Sequence, residues 1–212
     1  MRAWSVSGDE AEKKKLLDYH EMIYLTGKYR KIDGVEFWST ADGRFVRLSD
    51  VTLVRERHDF PAFATGEQKW IDVSVVTGTL VAYEGKKAVF ATLASVGRDR
   101  LGVPDSAAFT QRGEFQIAGK HVTAAGRDPA TFADGAAIHD VPWAVELSNG
   151  QLIVDAYWHD RFGIEHGPGN IELSPVDAGW LFHWMEPEVP AGWHAVTETP
   201  KGEGVPIVNV RK

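Results

Sequence analysis

The chain has no cysteine among its 212 residues, which excludes disulfides, a thiolate nucleophile and any cysteine-ligated metal site. The same absence favours neither an oxidising nor a reducing compartment. Long hydrophobic runs are also missing. No apolar stretch approaches the ~18 residues that a membrane-crossing helix needs, so no membrane span is expected. Positive charge is in deficit: 23 Lys and Arg stand against 30 Asp and Glu, a formal net charge of −7, with no basic footprint for nucleic acid. No nucleic-acid partner is expected. Met1 to Asp18, MRAWSVSGDEAEKKKLLD, has neither a continuous apolar core nor a small-residue cleavage site and does not read as a signal peptide.

What is present is ordinary for a folded chain: 43% hydrophobic and 25% charged residues, enough to bury a full core. The pattern predicts a mainly β protein in three parts. Residues 1–22 read as a helical or flexible segment, with Asp9 to Glu21 as a short charged helix capped by Asp9 and the KKK run as solvated surface. Residues 23–68 read as a small β module and its connection, because alternation from Tyr24 to Val54 is punctuated by the hairpin signals Asp33-Gly34 and Asp42-Gly43. Its aromatics Tyr24, Tyr29, Phe37, Trp38 and Phe45 are assigned to the core rather than to a ligand groove.

Residues 69–212 form the third part. A three-stranded meander opens at Lys69, with turns near Thr77-Gly78 and Glu84-Gly85. Gly97 to Thr110 and Lys120 to Ala137 are Gly- and Ala-rich and poorly periodic, and are expected to be loops. Val141 to Trp158 is the clearest hairpin, with Asn149-Gly150 suited to a type I′ turn. Ser174-Pro175 then opens a short helix: Ser174 supplies the N-cap oxygen, Pro175 suits the first turn, and Trp180, Leu181 and Trp184 can share a face with Val176. Gly204 to Val210 reads as a closing strand.

The most specific stretch is QLIVDAYWHDRFGIEHGPGNIELSPVDAGWLFHW, Gln151 to Trp184. It resembles the active-site segment of the L,D-transpeptidases, YkuD-like enzymes that cross-link peptidoglycan through a cysteine and whose segment runs approximately L-H-G-A-Y-W-H-D-x-F-G-x-x-x-S-H-G-C-x-N-L-S-P-x-D-A-x-W-L-F. Trp158, His159, Phe162, Gly163, Ser174, Pro175 and Asp177 follow that pattern without a gap. Thr110 to Ile117 and Lys120 are similar to a second family segment, x-T-P-x-G-x-F-x-I-x-x-K, with Gln111 in place of its proline. The resemblance runs from about Lys69 onward. It implies a β-sandwich or barrel with one short helix after the active-site loop, preceded by a small module similar to the SH3-like pieces of envelope enzymes.

The reactive positions depart from the family. Val154 stands at the first histidine and Asp155 at the following glycine, while Gly167, Pro168, Gly169 and Asn170 take the places of Ser, His, Gly and Cys, and Glu172 that of Asn or Arg. Cysteine acyl transfer needs a thiolate, a histidine to generate it and N–H donors for the oxyanion. Asn170 offers a delocalised amide that hydrogen-bonds but does not attack, and Pro168 has no backbone N–H. The expectation is a catalytically inactive homologue, a pseudoenzyme, in a bacterial cell envelope or periplasm. It would bind peptidoglycan peptide or an envelope protein, with Asp155, Trp158, His159, Asn170 and Glu172 as candidate ligand contacts.

Two further readings stay open. The carboxylates Asp155, Asp160, Glu165 and Glu172 could supply an acid/base pair, making a repurposed enzyme in which Asp155 or Glu172 works with His159. Alternatively, the cleft binds nothing and the chain is an interaction scaffold. His159, Asp160, Glu165, His166 and Glu172 form the one dense group of potential metal ligands, but the histidines are seven apart across a loop and not paired at helical spacing, so the spacing is only weakly specific for a metal site. Neither a metal nor another cofactor is expected. HGPGN lacks the Gly-Lys-Ser/Thr ending of a phosphate loop.

Overall fold

A computed structural model describes residues 2–7, 10–18, 21–55, 57–97, 110–124, 140–166, 169–199, 202 and 204–212, with side chains from residue 6 onward except 14–16. The chain divides into two compact units, Met1–Arg55 and Glu56–Lys212.

The first unit is an antiparallel sheet of β1 (Arg2–Ser7), β2 (Glu10–Leu16), β3 (Leu25–Ile32), β4 (Val35–Thr40) and β5 (Phe45–Arg47), in the order β2-β1-β5-β4-β3. Asp33 and Gly34 both take positive φ, 49° and 81°, so this hairpin has the twist-matched turn that its dipeptide signals. Leu17 and Val46 are the buried centre, with Ile23, Leu25, Trp38 and Val51 against them.

Two expectations fail here. The charged stretch from Asp9 is not a helix: Glu10–Leu16 is a strand paired with β1, so residues of the supposed N-terminal segment belong to the same sheet as the hairpins. Ladder bonds to a neighbouring strand override a helix propensity that had little apolar face behind it. Asp9 itself, the proposed cap, lies outside the described residues. Of the five aromatics, Phe37 is buried and Trp38 and Phe45 are half-buried, but Tyr24 and Tyr29 are exposed, Tyr29 stacking on Trp38 at 5.2 Å.

In the second unit the expected meander is β6 (Lys69–Ser74), β7 (Thr79–Glu84) and β8 (Lys87–Leu93). Then come β9 (Gly113–Ala124), β10 (Val141–Leu147), β11 (Leu152–Asp155), β12 (Ile171–Leu173), helix α1 (Pro175–Trp184), β13 (Ala195–Val196) and β14 (Ile207–Arg211). The sheet order is β12-β11-β10-β9-β14-β6-β7-β8, with β13 on β9. The closing strand therefore lies inside the sheet, antiparallel to β9 and parallel to β6.

Lys120 to Ala124, expected as the start of a loop, continues β9 instead; residues 98–109 and 125–137 of the two expected loops lie outside the described residues. The Asn149-Gly150 hairpin is present but its turn is not type I′. Gly150 has φ 84° and Asn149 is not in the positive-φ region. Gly150 N–H donates to Leu147 O and Leu147 N–H to Gln151 O, both at 2.8 Å, which makes a three-residue loop ending in a left-handed glycine.

Helix α1 begins as its residues dictate. Ser174 Oγ accepts the Asp177 N–H at 3.3 Å, and Pro175 holds the first helical turn. Ser174→Ala is expected to cost about 1 kcal/mol, read as a fall of about 2 to 4 °C in the melting temperature of this unit. The buried face is Ala178, Leu181 and Phe182, followed by Met185. Val176, expected on the inner face, is exposed, because spacings of three and four from Ala178 select the opposite side. Trp180 stacks on Phe90 at 4.0 Å and on Trp184 at 5.5 Å, covering the flank of the core.

Candidate functional site

The site is built on the parallel pair β11 and β12, whose register sets Val154 beside Glu172 and Asp155 beside Leu173. Because side chains alternate along a strand, the two sides of this pair have different company. Leu152 and Val154 pack with Val141 and Ala144, with Ala124 and Trp158 against them. Ile153, Ile171 and Leu173 belong to the main core under α1. Asn170, Glu172 and Val154 therefore share one side, and Asp155 faces the other. Glu172 and Asp155 are not a convergent carboxylate pair.

Asn170 is only 4% exposed, and its Oδ1 accepts the backbone N–H of Leu152 at 3.1 Å. The preceding turn is pinned too: Gly169 O accepts Thr110 Oγ1 at 2.9 Å and Gln151 Nε2 at 2.5 Å. The side chain thereby ties the residue before β12 to β11. Gly167 and Pro168, which the resemblance placed at the family's Ser and His, lie outside the described residues.

Two residues along β12, Glu172 is 1% exposed and is the centre of a three-residue cluster. One carboxylate oxygen, Oε2, receives His159 Nε2 at 2.9 Å and His166 Nδ1 at 3.0 Å. The two imidazoles lie 3.9 Å apart, centre to centre, and His159 also packs on Phe162 at 4.8 Å. The Arg161 N–H donates to His159 Nδ1 at 3.0 Å, which places that ring's proton on Nε2, towards the carboxylate. Backbone contacts fix the cluster. Glu172 and Ser95 exchange two hydrogen bonds, 2.8 and 2.9 Å, and His166 N–H donates to Val96 O at 3.0 Å.

The loop carrying the two histidines is held from below by a close backbone approach. Gly78 has φ 59°, and a Cβ there would lie 2.5 Å from the carbonyl carbon of Gly163, so only glycine lets the β6–β7 turn meet this loop.

The sequence places the candidates unevenly. His159 and Glu172 meet; Trp158 is half-buried beside the Val154 side; Asn170 and Asp155 are buried. His166 is the contributor that spacing did not reveal, since seven residues of loop return it to its partner only through the bridge of Glu165 to Val96. Asp160 and Glu165 are exposed and outside the cluster. His159, His166 and Glu172 could hold a metal, for one ligand atom from each lies within 4.8 Å of the others. Tyr157, exposed and edge-on to Trp158 at 5.3 Å, is a surface aromatic that the motif did not single out.

Asp155 is an anomaly of a different kind. It is buried and its Oδ1 has no hydrogen-bond partner among the described residues, so burial pushes the carboxyl up to about 6.

No protein-family model and no curated protein matches the chain. Solved structures do. The L,D-transpeptidase LdtMt1, in complex with imipenem, superposes with a TM-score of 0.51 at 16% identity over 88% of this chain and 78% of its own. The Ldtfm-avibactam carbamoyl enzyme gives 0.50 at 18% identity over 69% of this chain. The L,D-transpeptidase (Yku) from Stackebrandtia nassauensis gives 0.47 at 17% identity over 70%. This chain spans 49% of the Ldtfm structure and 57% of the Stackebrandtia one. The fold is thus L,D-transpeptidase-like, mainly β with one α-helix among the described residues, in a chain that has no cysteine.

Proposed function

We propose that the chain is a non-catalytic L,D-transpeptidase homologue of the cell envelope that binds peptidoglycan peptide without turning it over. The observation that carries this reading is Asn170: where the family motif has its nucleophile, a buried carboxamide closes on the Leu152 N–H. Val154 packs among apolar side chains at the position of a family histidine, so neither an attacking atom nor a base serves the old reaction. A retained scaffold with an erased nucleophile fits recognition. Trp158 and the exposed Tyr157 beside it are the contacts we assign to the ligand, while Glu172, His159 and Asn170 shape the loop that presents them.

The test incubates the protein with tetrapeptide-rich peptidoglycan, then analyses the fragments by mass spectrometry and assays the pellet for protein. Unchanged fragments with the protein in the pellet, and loss of pelleting in Tyr157→Ala, are the expected result. Protein left in solution would transfer the reading to an envelope protein as partner. New cross-links or cleavage products would sink it in favour of a repurposed enzyme.

A further inference from the structure

We propose that His159, His166 and Glu172 form a binding site for one divalent transition-metal ion of the zinc type, independent of what the chain binds elsewhere.

The donor set is the first argument. Two imidazole nitrogens and one carboxylate suit zinc and its neighbours, whereas calcium and magnesium take oxygen ligands throughout. Spacing is the second. With bonds of about 2.0 to 2.1 Å, the ligand atoms of a tetrahedral site stand roughly 3.3 Å apart. Here the two nitrogen-to-oxygen edges are 2.9 and 3.0 Å, and no pair of the three atoms exceeds 4.8 Å. Small rotations of three side chains would open the space for an ion, and their backbones are already anchored to Ser95, Val96 and β12.

The third argument is the other oxygen of the same carboxylate. Glu172 Oε1 is buried and has no hydrogen-bond partner among the described residues, while Oε2 serves both rings. A buried carboxylate with one oxygen doubly used and the other unused is costly unless something positive meets it. A metal ion bound through the carboxylate supplies that charge. His166, whose side chain is 28% exposed, forms the open side, where water completes the coordination.

Binding rearranges protons. In the metal-free protein His159 carries its proton on Nε2, because Arg161 N–H occupies Nδ1. For Nε2 to take the metal, that proton leaves, Nδ1 becomes the protonated nitrogen, and the Arg161 amide turns away. His166 likewise gives up the Nδ1 proton that it donates to Glu172 and carries one on Nε2 instead. The Arg161 amide is therefore a reporter inside the site that a metal on a surface histidine would leave untouched.

The experiment uses the tag-free full chain, stripped with a chelator, and titrates zinc chloride by calorimetry. One ion per chain at micromolar affinity or better is expected, with the Arg161 amide resonance moving in step. Cobalt(II) should give the visible bands of a four- or five-coordinate nitrogen and oxygen site. His166→Ala and Glu172→Gln should each weaken binding by about 100-fold or more, and His121→Ala, which alters a second His–Glu pair at 3.5 Å, should not. Absence of saturable binding, an unmoved Arg161 amide, or equal affinity in folded His166→Ala would overturn the proposal and leave a hydrogen-bonded trio only. Should either variant fail to fold, the Arg161 shift and the cobalt spectrum of the unaltered protein decide the matter.

Discussion

Replacing Lys120 with methionine is expected to lower the melting temperature of the second unit by about 10 °C, one of two large effects that follow from buried charge. Lys120 is 1% exposed, and its ammonium group donates to three carbonyls at the end of α1: Phe182 O at 2.6 Å, Met185 O at 2.5 Å and Pro187 O at 2.9 Å. It also lies 4.4 Å from the centre of the Phe182 ring. The last carbonyls of a helix have no partner within it, and here a single side chain from β9 serves them. Burial pushes the amine down to about 8, yet three acceptors match the three N–H bonds of the charged form, so it is the ammonium that caps the helix.

Methionine keeps most of the volume and removes every donor. Each buried carbonyl left bare costs about 1 to 3 kcal/mol, partly offset by no longer burying a charge, for a net loss of about 3 kcal/mol. Thermal unfolding followed by near-ultraviolet circular dichroism reads the effect, because Trp180 and Trp184 lie on the same helix. A melting temperature unchanged in Lys120→Met would show that the carbonyls find other donors.

The second large effect has the opposite sign. Asp155→Asn is expected to stabilise the protein at pH 7, by up to about 3 kcal/mol, and to do little at pH 4. Burial raises the Asp155 carboxyl from 3.8 to about 6. Between those values the native state holds a proton that the unfolded chain has released, so stability falls as pH rises from about 4 to about 6. Above that range the native protein carries a buried carboxylate on the core side of β11, and an amide removes this charge. Urea titrations at pH 4 and pH 7 test the difference. Equal midpoint shifts for the variant at both pH values would contradict it.

How much of this could be read in advance depended on how far apart the cooperating residues are. Asp33-Gly34 specifies its turn by itself, and Ser174-Pro175 specifies a helix start, since both act through their own backbone. Asn149-Gly150 marked the right place for a hairpin, but the bonds between Leu147, Gly150 and Gln151 selected a different loop. The alternation of β6 to β8 was visible because each strand pairs with the next. What stayed hidden was non-local. Glu10–Leu16 reads as a charged helix until β1 lies beside it, and Lys120 reads as loop until α1 presents its carbonyls. In the candidate site, Glu172 and His159 stood out as motif positions, whereas the convergence of His166 depends on the bridge of Glu165 to Val96.

The place of β14 bears on how the molecule comes into being. Ile207–Arg211 lies between β9 and β6 and pairs with both, so without it the backbone pairing between the two halves of the larger sheet rests, among the described residues, on the bridges of Ser95 to Glu172 and Val96 to Glu165. During synthesis, β6 to β13 leave the ribosome before β14, so the edges of β9 and β6 that it pairs with stay bare until it arrives. The second unit must therefore finish folding after nearly all of it has been made, and until then those edges are open to strands of other chains.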